Sequence, residues 1–277
     1  MAKLLSFHPA KILIMAKTYP TPSSKYIETC CIAGITEDGK PVRIYPVPFR
    51  QLKDDKRYKK WQWIEAPIAQ SDNDSRKESH KIQFENIKLG VTLGPANQWT
   101  QRIPWITKLP RYYDLGKLSE DGKNGTCSLA YMKVESLIKL EIKKADHSKH
   151  SKEDLEKLAR NSFDLFSDHG DLQEIKEILQ KIPYDFYYHF TINGKDQKAK
   201  IIDWEICQLY RRCSKEHPDC WEAKIQQKYF EQFKNFDLYL IMGNQNRFRY
   251  QFMIISVCAV PRKQKSLADE RQMTFDL

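Results

Sequence analysis

The chain has 277 residues, of which 41% are hydrophobic and 12% aromatic, enough to bury one large core or two ordinary ones and to exclude a wholly disordered protein. Its net charge is +10. Residues 1–150 hold 26 Lys and Arg against 16 Asp and Glu, whereas residues 151–277 hold 20 of each. The excess positive charge therefore belongs to the first half, which favours a polyanionic partner on one side of the molecule.

The longest apolar runs, at residues 12–15 and 252–260, are far shorter than the ~20 residues of a membrane span. The N-terminal residues do not form the pattern of a secretory leader. Seven cysteines without a secretion signal are typical of free thiols in a reducing compartment. We therefore expect a cytoplasmic protein without membrane contact.

The first half is rich in strand patterns. Residues 11–19 predict a strand, and residues 26–35 and 40–47 predict a hairpin joined at Glu-Asp-Gly, residues 37–39. Residues 81–90 predict a further strand with Ile82, Phe84 and Ile87 facing inward, and residues 128–145 predict a turn followed by a strand.

The second half mixes helices and hairpins. Helices are predicted near residues 146–159, 171–181, 204–216 and 219–234. Strands over 184–192 and 197–204 flank Asn193-Gly194, the strongest hairpin signal in the chain, and two more are predicted at 237–244 and 247–260. The fold class is therefore α+β. A basic, β-rich and barrel-like domain at 1–145 is followed by an α+β domain at 146–262 and a flexible tail at 263–277.

The loop after the first strand combines short hydroxyl side chains, two lysines and two prolines. Hydroxyls and ammonium groups hold phosphates well, and prolines reduce the entropy lost when a loop becomes ordered. An ordinary Pro-Ser turn would explain the same composition. The residues predicted to contact a phosphate backbone here are Lys17, Thr18, Ser23, Ser24 and Lys25.

Basic and aromatic residues alternate between positions 43 and 63, the composition required for tracking a nucleic-acid backbone and stacking its bases. The alternative is a solvated basic segment whose tryptophans belong to the core. The predicted contacts are Arg43, Tyr45, Arg50, Lys59, Lys60 and Trp61, with Arg247 and Arg249 of the loop at 243–250 as a second contact.

Asp203 and Glu205 follow a predicted strand and begin a predicted helix. Such a carboxylate pair could hold a metal ion or act as a general base. Glu28, which directly follows the phosphate-binding loop, is a third candidate. However, Glu205 precedes Ile206 and Cys207, so the lysine of a nuclease-type Glu-x-Lys motif is missing. An Asp N-cap with a first-turn Glu explains the pair equally well.

Two short patterns complete the list of candidate sites. Cys207, Cys213, His217 and Cys220 include potential zinc ligands, but their spacing matches no common zinc motif, so Cys213, His217 and Cys220 are only weak metal candidates. No cofactor is predicted, except Mg²⁺ if the protein is a nuclease; zinc is not expected. The C-terminal residues Gln272, Met273, Phe275 and Leu277 have the pattern of a peptide that docks on a sliding clamp.

Four segments, KTYPTPSSKYIETCCIAG, PVRIYPVPFR, DWEICQLY and LYLIMGN, resemble an uncharacterised family of bacterial proteins, sometimes found near mobile or defence-related genes. The resemblance implies no activity, cofactor or catalytic residue. It favours DNA as the partner and a link to genome defence or DNA processing.

The sequence as a whole predicts a nucleic-acid-binding protein that prefers DNA to RNA. One alternative is an enzyme that cleaves nucleic acid or excises bases with Glu28, Asp203 and Glu205, a hydrolase whose phosphate-binding loop and Asp203 share one cleft. The other alternative is a protein–protein adaptor that uses the clamp-binding peptide and carries its basic residues scattered over the surface.

Overall fold

The structure is a computed structural model, and it describes residues 5–23, 26, 28–146 and 179–262. No helix within these ranges is both long and apolar enough to cross a membrane. The predicted helices at 146–159 and 171–181, together with the tail at 263–277, lie outside the described residues except for their terminal positions 146 and 179–181.

The first half is built from short strands, 3₁₀ turns and brief helical turns. Its strands are β1 (His8–Lys17), β2 (Thr21–Pro22), β3 (Glu28–Thr36), β4 (Pro41–Val47), β5 (Gln62–Gln70), β6 (Ser79–Ile82) and β7 (Lys88–Thr92). The 3₁₀ turns are Phe49–Gln51, Asp54–Lys56 and Phe84–Asn86, and the helical turns are α1 (Ala96–Trp99) and α2 (Ile103–Ile106).

Within the described residues, the strands β1, β3, β4, β6 and β5 close into a barrel in that order, because β5 pairs with β1 as well as with β6. All of these pairs are antiparallel except β4 with β6, which is parallel. The interior is filled by branched aliphatic side chains such as Ile12, Ile14, Ile32, Ile44 and Ile64. The predicted barrel-like first half is confirmed.

The strand β1 is apolar on both faces, since Ile12 and Ile14 point into the barrel while Leu13 and Met15 belong to a second apolar cluster outside it. Runs of this kind are typical of strands covered on both sides. The outer face of the barrel must therefore be covered by another part of the chain.

The chain from residue 115 onward, called the second half of the structure from here on, supplies that cover. It contains α3 (Leu115–Lys123), β8 (Leu129–Lys133), β9 (Ser136–Lys144), β10 (Tyr184–Ile192), β11 (Lys195–Ile201), α4 (Trp204–Glu216), α5 (Trp221–Gln226), β12 (Phe236–Asn244) and β13 (Phe252–Pro261). The α5 helix continues through a π-helical turn, Gln227–Gln232, and a 3₁₀ turn, Phe233–Asn235. The strands form a second sheet in the order β8-β12-β13-β11-β10-β9.

The molecule consists of three layers: the barrel, the second sheet and the helices. One face of β8, β12 and β13 packs on the barrel through Tyr131, Ile241 and Ile255, which join Leu13 and Ile35 in one apolar cluster. The opposite face packs on α4 and α5 through side chains such as Phe186, Tyr188 and Ile206. The second sheet is therefore the central layer, and the α+β class is confirmed.

Buried arginines add hydrogen bonds between the barrel and the second sheet. Arg43 of β4 is 3% exposed, and its Nη2 donates to the Ser128 carbonyl oxygen at 2.9 Å. Arg76 is 8% exposed, and its Nη1 donates to the Asn244 carbonyl oxygen at 2.7 Å. Both partners belong to the second half, so these guanidinium groups fix the two halves relative to one another.

Local signals in the sequence account for some elements and fail at others. The hairpin at Asn193-Gly194 is confirmed, with both residues at positive φ. The single strand predicted over 81–90 is wrong, since β6 ends at Ile82 and the 3₁₀ turn Phe84–Asn86 separates it from β7. Ile82 and Ile87 lie an odd number of positions apart, so one regular strand would place them on opposite faces, whereas both are buried.

The division of the chain into domains at residues 145 and 146 stays a prediction.

Gly34 allows β1 and β3 to approach closely, since a Cβ at this position would overlap the Leu13 carbonyl oxygen. We expect Gly34→Ala to lower the free energy of unfolding by about 3 kcal/mol, because backbone cannot move aside as a flexible side chain can. Gly94→Ala is the matched control: nothing lies closer than 4.0 Å to its Cβ position, and we expect a change below about 0.5 kcal/mol. Urea unfolding of both variants measures the difference, and equal losses would contradict the role of Gly34.

Candidate functional site

Asp203 lies at the N-cap of α4, where β11 ends. The residue is 1% exposed, and its Oδ2 accepts a hydrogen bond from the Val257 N–H at 2.8 Å, while Oδ1 accepts one from the Glu205 N–H at 3.3 Å. The N-cap interpretation of Asp203 is therefore confirmed. The carboxyl group also faces the barrel, which an ordinary cap does not require.

The barrel contributes a lysine to this carboxylate pair. Nζ of Lys60 lies 3.6 Å from Asp203 Oδ2 and 3.3 Å from Glu205 Oε2. Glu205 is more accessible than its neighbours, with 42% of its side chain exposed against 16% for Lys60. Lys60 thus pairs with a carboxylate that lies 145 positions later in the sequence.

Burial and charge push the pKa values in this cluster apart. Burial raises the pKa of the Asp203 carboxyl well above its usual range, and the neighbouring Glu205 charge adds to this effect. Burial would also raise the pKa of Glu205, but the Lys60 ammonium together with hydrogen bonds from Asp203, the backbone and Lys60 outweighs burial and lowers this pKa. Glu205 is therefore the ionised partner of Lys60, and the protonated form is favoured at Asp203.

Lys17, the last residue of β1, lies at the same junction. Its Nζ is 3.5 Å from the centre of the Phe49 ring and 4.4 Å from the centre of the Trp204 ring, so its ammonium contacts two aromatic faces. The next residue, Thr18, pairs with Asp203 in an isolated β-bridge. Burial lowers the pKa of Lys17 to about 8.

The loop after Lys17 binds the second half of its own chain. The Tyr19 N–H donates to the Ile202 carbonyl oxygen at 3.2 Å, and its hydroxyl donates to the Gln180 carbonyl oxygen at 2.9 Å. Thr18 Oγ1 accepts a hydrogen bond from the Cys31 N–H at 3.0 Å. Thr18, one of the residues predicted to grip a phosphate, is thus engaged within the protein. Ser23 is described, whereas Ser24 and Lys25 lie outside the described residues.

Glu28 is separate from the Asp203 pair. It is 4% exposed, its Oε1 accepts a hydrogen bond from Arg50 Nη1 at 2.8 Å, and its Oε2 accepts one from the Leu179 N–H at 3.2 Å. In the part of the chain that the structure describes, no hydrogen bond or ion pair joins Glu28 to Asp203 or Glu205. The three predicted carboxylates therefore form one pair and one separate ion pair.

The basic and aromatic stretch at 43–63 is divided between core and surface. Arg43 and Trp61 are each 3% exposed, whereas Tyr45 is 48% exposed and Lys59 is exposed. The buried members stabilise the fold, so only the exposed ones can contact a partner without rearrangement. The assignment of these residues to nucleic-acid contact stays a prediction.

The predicted second contact lies far from Lys17. Arg249 Nη2 donates to Ser75 Oγ at 2.5 Å, and Arg247 contacts the exposed ring of Phe248, with 5.6 Å between its guanidinium carbon and the ring centre. The loop that carries Arg247 and Arg249 comes before the first residue of β13. The residue of β13 that contacts Asp203 is Val257, which lies in the middle of the strand. The structure therefore does not bring Arg247 and Arg249 to the Asp203 cluster.

The weak metal candidates do not converge. Cys213 is buried inside α4 and Cys220 is exposed beyond the helix, while His217 is the C-cap residue between them. Among residues 5–23, 26, 28–146 and 179–262, no three His, Cys, Asp or Glu side chains are grouped as a metal site requires. The predicted clamp-binding residues Gln272, Met273, Phe275 and Leu277 lie outside the described residues.

A cavity of about 1110 Å³ lies at the opposite end of the barrel. Five lysines and four carboxylates line it: Lys11, Lys40, Lys56, Lys77, Lys88, Glu37, Asp38, Glu65 and Glu85. Glu37 pairs with Lys11, and Asp38 pairs with Lys40. Because its charges nearly cancel, this cavity does not select a polyanion.

Replacing Lys60 tests the charge cluster. We expect Lys60→Met to lower the free energy of unfolding by about 3 kcal/mol, because it leaves a buried carboxyl and an ionised neighbour without their cation. Lys59→Met changes the adjacent exposed lysine, and we expect an effect below about 0.5 kcal/mol.

The double variant Lys60→Met/Glu205→Gln should regain at least half of the loss in urea unfolding, since Gln removes the ionised carboxylate that Lys60→Met leaves without a cation. If Lys60→Met and Lys59→Met were equally stable, the cluster would have no structural role.

Two family models match the chain. A domain of unknown function, DUF8758, matches residues 8–108. A second domain of unknown function, DUF8757, matches residues 113–276, and this second match alone covers more than half of the chain. The chain belongs to the DUF8757 family. This match confirms the expectation of an uncharacterised family. No curated protein matches the sequence.

One similar solved structure is a replication protein A heterotrimer bound to ssDNA. The alignment covers 99% of this chain and 69% of that chain, with 7% sequence identity and a TM-score of 0.25. At this TM-score the two chains do not share an overall arrangement, and the likeness carries no information on function.

Proposed function

We propose that this member of the DUF8757 family is a nucleic-acid-binding protein that holds a single strand, DNA in preference to RNA, at one end of its barrel. The observation that carries the proposal is the order and direction of the barrel strands. The exposed ring of Tyr45, which lies on the outer face of β4, is the proposed contact with a base.

The barrel strands β1, β3, β4, β5 and β6 are the first to fifth strands along the chain. Around the barrel they are arranged in the order first, second, third, fifth, fourth, and the fourth pairs with the first. The third and fifth strands are parallel. This is the Greek-key arrangement of the OB-fold, in which oligonucleotides or oligosaccharides bind on the second and third strands between the loops after the first and fourth strands. Fold alone does not establish function, so the surface has to support it.

Much of that face is covered by the second sheet. Ala33 and Ile35 of β3 and Arg43 of β4 are buried there. The part left open lies toward the ends of β1 and β4, where Cys31 is half-buried and Tyr45 is exposed. Thr18 borders this open end, since it pairs with Cys31 through backbone and side chain. An aromatic ring beside hydroxyl groups suits one or two stacked bases and their phosphates.

The charge favours a nucleic acid over an oligosaccharide, since the excess of ten positive charges falls within residues 1–150. The preference for DNA and the link to bacterial genome defence or DNA processing rest on the sequence resemblance. Thr18, Ser23 and Lys59 belong to the proposed contact surface, and Arg247 belongs to a separate one. A sliding-clamp partner would depend on the C-terminal residues and stays a prediction.

Tyr45→Ala tests this proposal. We expect the variant to bind a labelled single-stranded oligonucleotide about 5- to 150-fold more weakly in fluorescence anisotropy, because one stacked base contributes about 1–3 kcal/mol. Binding by the unaltered protein should also weaken steeply as salt is raised.

Tyr113→Ala is the matched control, because Tyr113 is also 48% exposed but lies outside the barrel. Equal binding by the two variants would show that Tyr45 does not contact the strand. A protein that binds no strand at low salt would contradict the proposed function.

An enzyme that acts on nucleic acid is the second candidate. It is favoured by the meeting of Lys17, Lys60, Asp203 and Glu205 at one junction, beside Thr18, which borders the open end of the face. Perturbed ionisable groups gathered in this way are typical of active sites, although ion pairs between domains produce them too. The carboxylate with the most open position is Glu205, since Asp203 is fully enclosed.

A further inference from the structure

Lys17 differs from the other lysines at the junction, since its amine contacts aromatic faces and lacks an acidic partner. Phe49 and Trp204 lie 3.5 and 4.4 Å from Nζ, measured to the ring centres. The two rings also contact each other, with 6.1 Å between their centres at an angle of 66°. Among the described residues, Lys17 forms no hydrogen bond and no ion pair within 4.0 Å through Nζ, whereas neighbouring Lys60 has two carboxylates.

The same end of the barrel holds buried polar atoms that have no partner. They are the hydroxyl oxygens of Thr29 and Tyr58 and the side-chain oxygen of Gln51, in residues that are 1%, 3% and 5% exposed. The Tyr58 ring packs edge-on against Phe49, with 5.1 Å between the centres, so it flanks the ring that contacts Lys17. Unpaired polar groups are uncommon in folded proteins, and a bound polar molecule would satisfy them.

An amine in this position is suited to attack a carbonyl group. Desolvation between apolar surfaces makes the neutral, nucleophilic form of a lysine accessible near neutral pH, and the pKa of Lys17 is lowered by burial to about 8. The two rings limit the rotamers of the side chain, so the amine is held in place before a substrate arrives.

A nucleic acid contains one carbonyl that readily forms an imine with an amine: the aldehyde of a deoxyribose that has lost its base. The bases carry only amide-like carbonyls, which resist this attack. Lys17 pairs with Ile32 on β3, and Ile32 pairs with Ile44 on β4, the residue before Tyr45. Directly paired residues share a face, so the Lys17 side chain lies on the side of Ile32 and Ile44, whereas Tyr45 points to the outer face. A strand held at Tyr45 would reach the amine by crossing the end of the barrel, a lateral distance of about two strand spacings, about 10 Å.

We propose that Lys17 is an amine nucleophile that condenses with the aldehyde of an abasic site in a bound strand. The inference rests on the proposed binding of nucleic acid and deepens it. The neutral Nζ attacks C1′, and the electron pair of the carbonyl π bond moves to oxygen. Proton transfer gives a carbinolamine, and loss of its hydroxyl with a proton, as water, leaves a C=N bond between C1′ and Nζ. One aldehyde and one amine thus yield one imine and one water, without an oxidant or a metal.

Charged neighbours surround Lys17 and bear on its titration. The ionised Glu205 favours its protonated form, while Lys60 disfavours it, and the Asp203 carboxyl, whose pKa burial raises well above its usual range, would favour it only when ionised. Glu205 is ionised because its pKa is held at about 2, and the Cys30 thiol stays neutral because burial raises its pKa to about 12. Through the range from about pH 7 to about pH 9, Lys17 is therefore the group whose loss of a proton should speed imine formation.

The experiment is reductive trapping with the full chain. A labelled single strand with one abasic site is incubated with the protein and sodium borohydride, which reduces an imine to a stable amine, and the adduct is resolved on a denaturing gel. We expect an adduct whose yield rises from about pH 7 to about pH 9 and which maps to Lys17 by mass spectrometry. In Lys17→Arg, which keeps the charge and the aromatic contacts, the yield should fall at least about 100-fold, while Lys123→Arg, at an exposed lysine outside the barrel, should react normally.

Binding is measured in parallel by anisotropy, with a strand that carries a reduced abasic sugar and cannot form an imine. Unchanged binding by Lys17→Arg together with loss of the adduct would support the inference. An adduct of equal yield in Lys17→Arg, or a wild-type protein that binds the strand and forms no adduct, would overturn the inference and leave the proposed function standing. Absence of both binding and adduct would overturn both.

Discussion

The outer face of β1, β3 and β5 is apolar, and it is buried against one face of the second sheet. Leu13, Ile35 and Trp63 on the barrel meet Tyr239 and Ile255 on the sheet. A face of this size cannot stay in water in a stable soluble protein, so the first-half barrel and the second sheet cover each other. Polar contacts between the halves, such as Arg43 with Ser128 and Lys60 with Asp203, lie at the margin of this apolar face.

The charged groups occupy that margin in two places. On one side, Arg43 and Arg76 donate to backbone carbonyls of the second half. On the other side, Lys60 meets Asp203 and Glu205, and Lys17 meets Trp204. Because apolar contact excludes water between these places, the charges interact more strongly than they would on an open surface. The unusual pKa values at the junction are thus a consequence of domain docking.

The sequence predicted the features that depend on neighbouring residues. Asn193-Gly194 identifies its hairpin because these residues tolerate positive φ, and Asp203 identifies a helix start because its side chain caps the first turn. The association of Lys60 with Asp203 could not be predicted, since it depends on how two separately patterned segments dock. The basic stretch at 43–63 predicted a single surface, yet Arg43 and Trp61 are buried, because composition does not reveal which side of a strand is covered.

The covered OB-type face would limit the length of strand that the proposed binding site can hold. A strand that occupied the whole face would bind only molecules in which the second sheet has left the barrel. The apparent dissociation constant for such a strand would equal the intrinsic value divided by that open fraction, which the apolar contact keeps small. Under the proposed function, lengthening a ligand beyond the nucleotides near Tyr45 would therefore bring little additional affinity from this face. The protein would recognise a short feature of a strand, such as a single altered position, and would not coat long stretches as proteins with an open barrel face do.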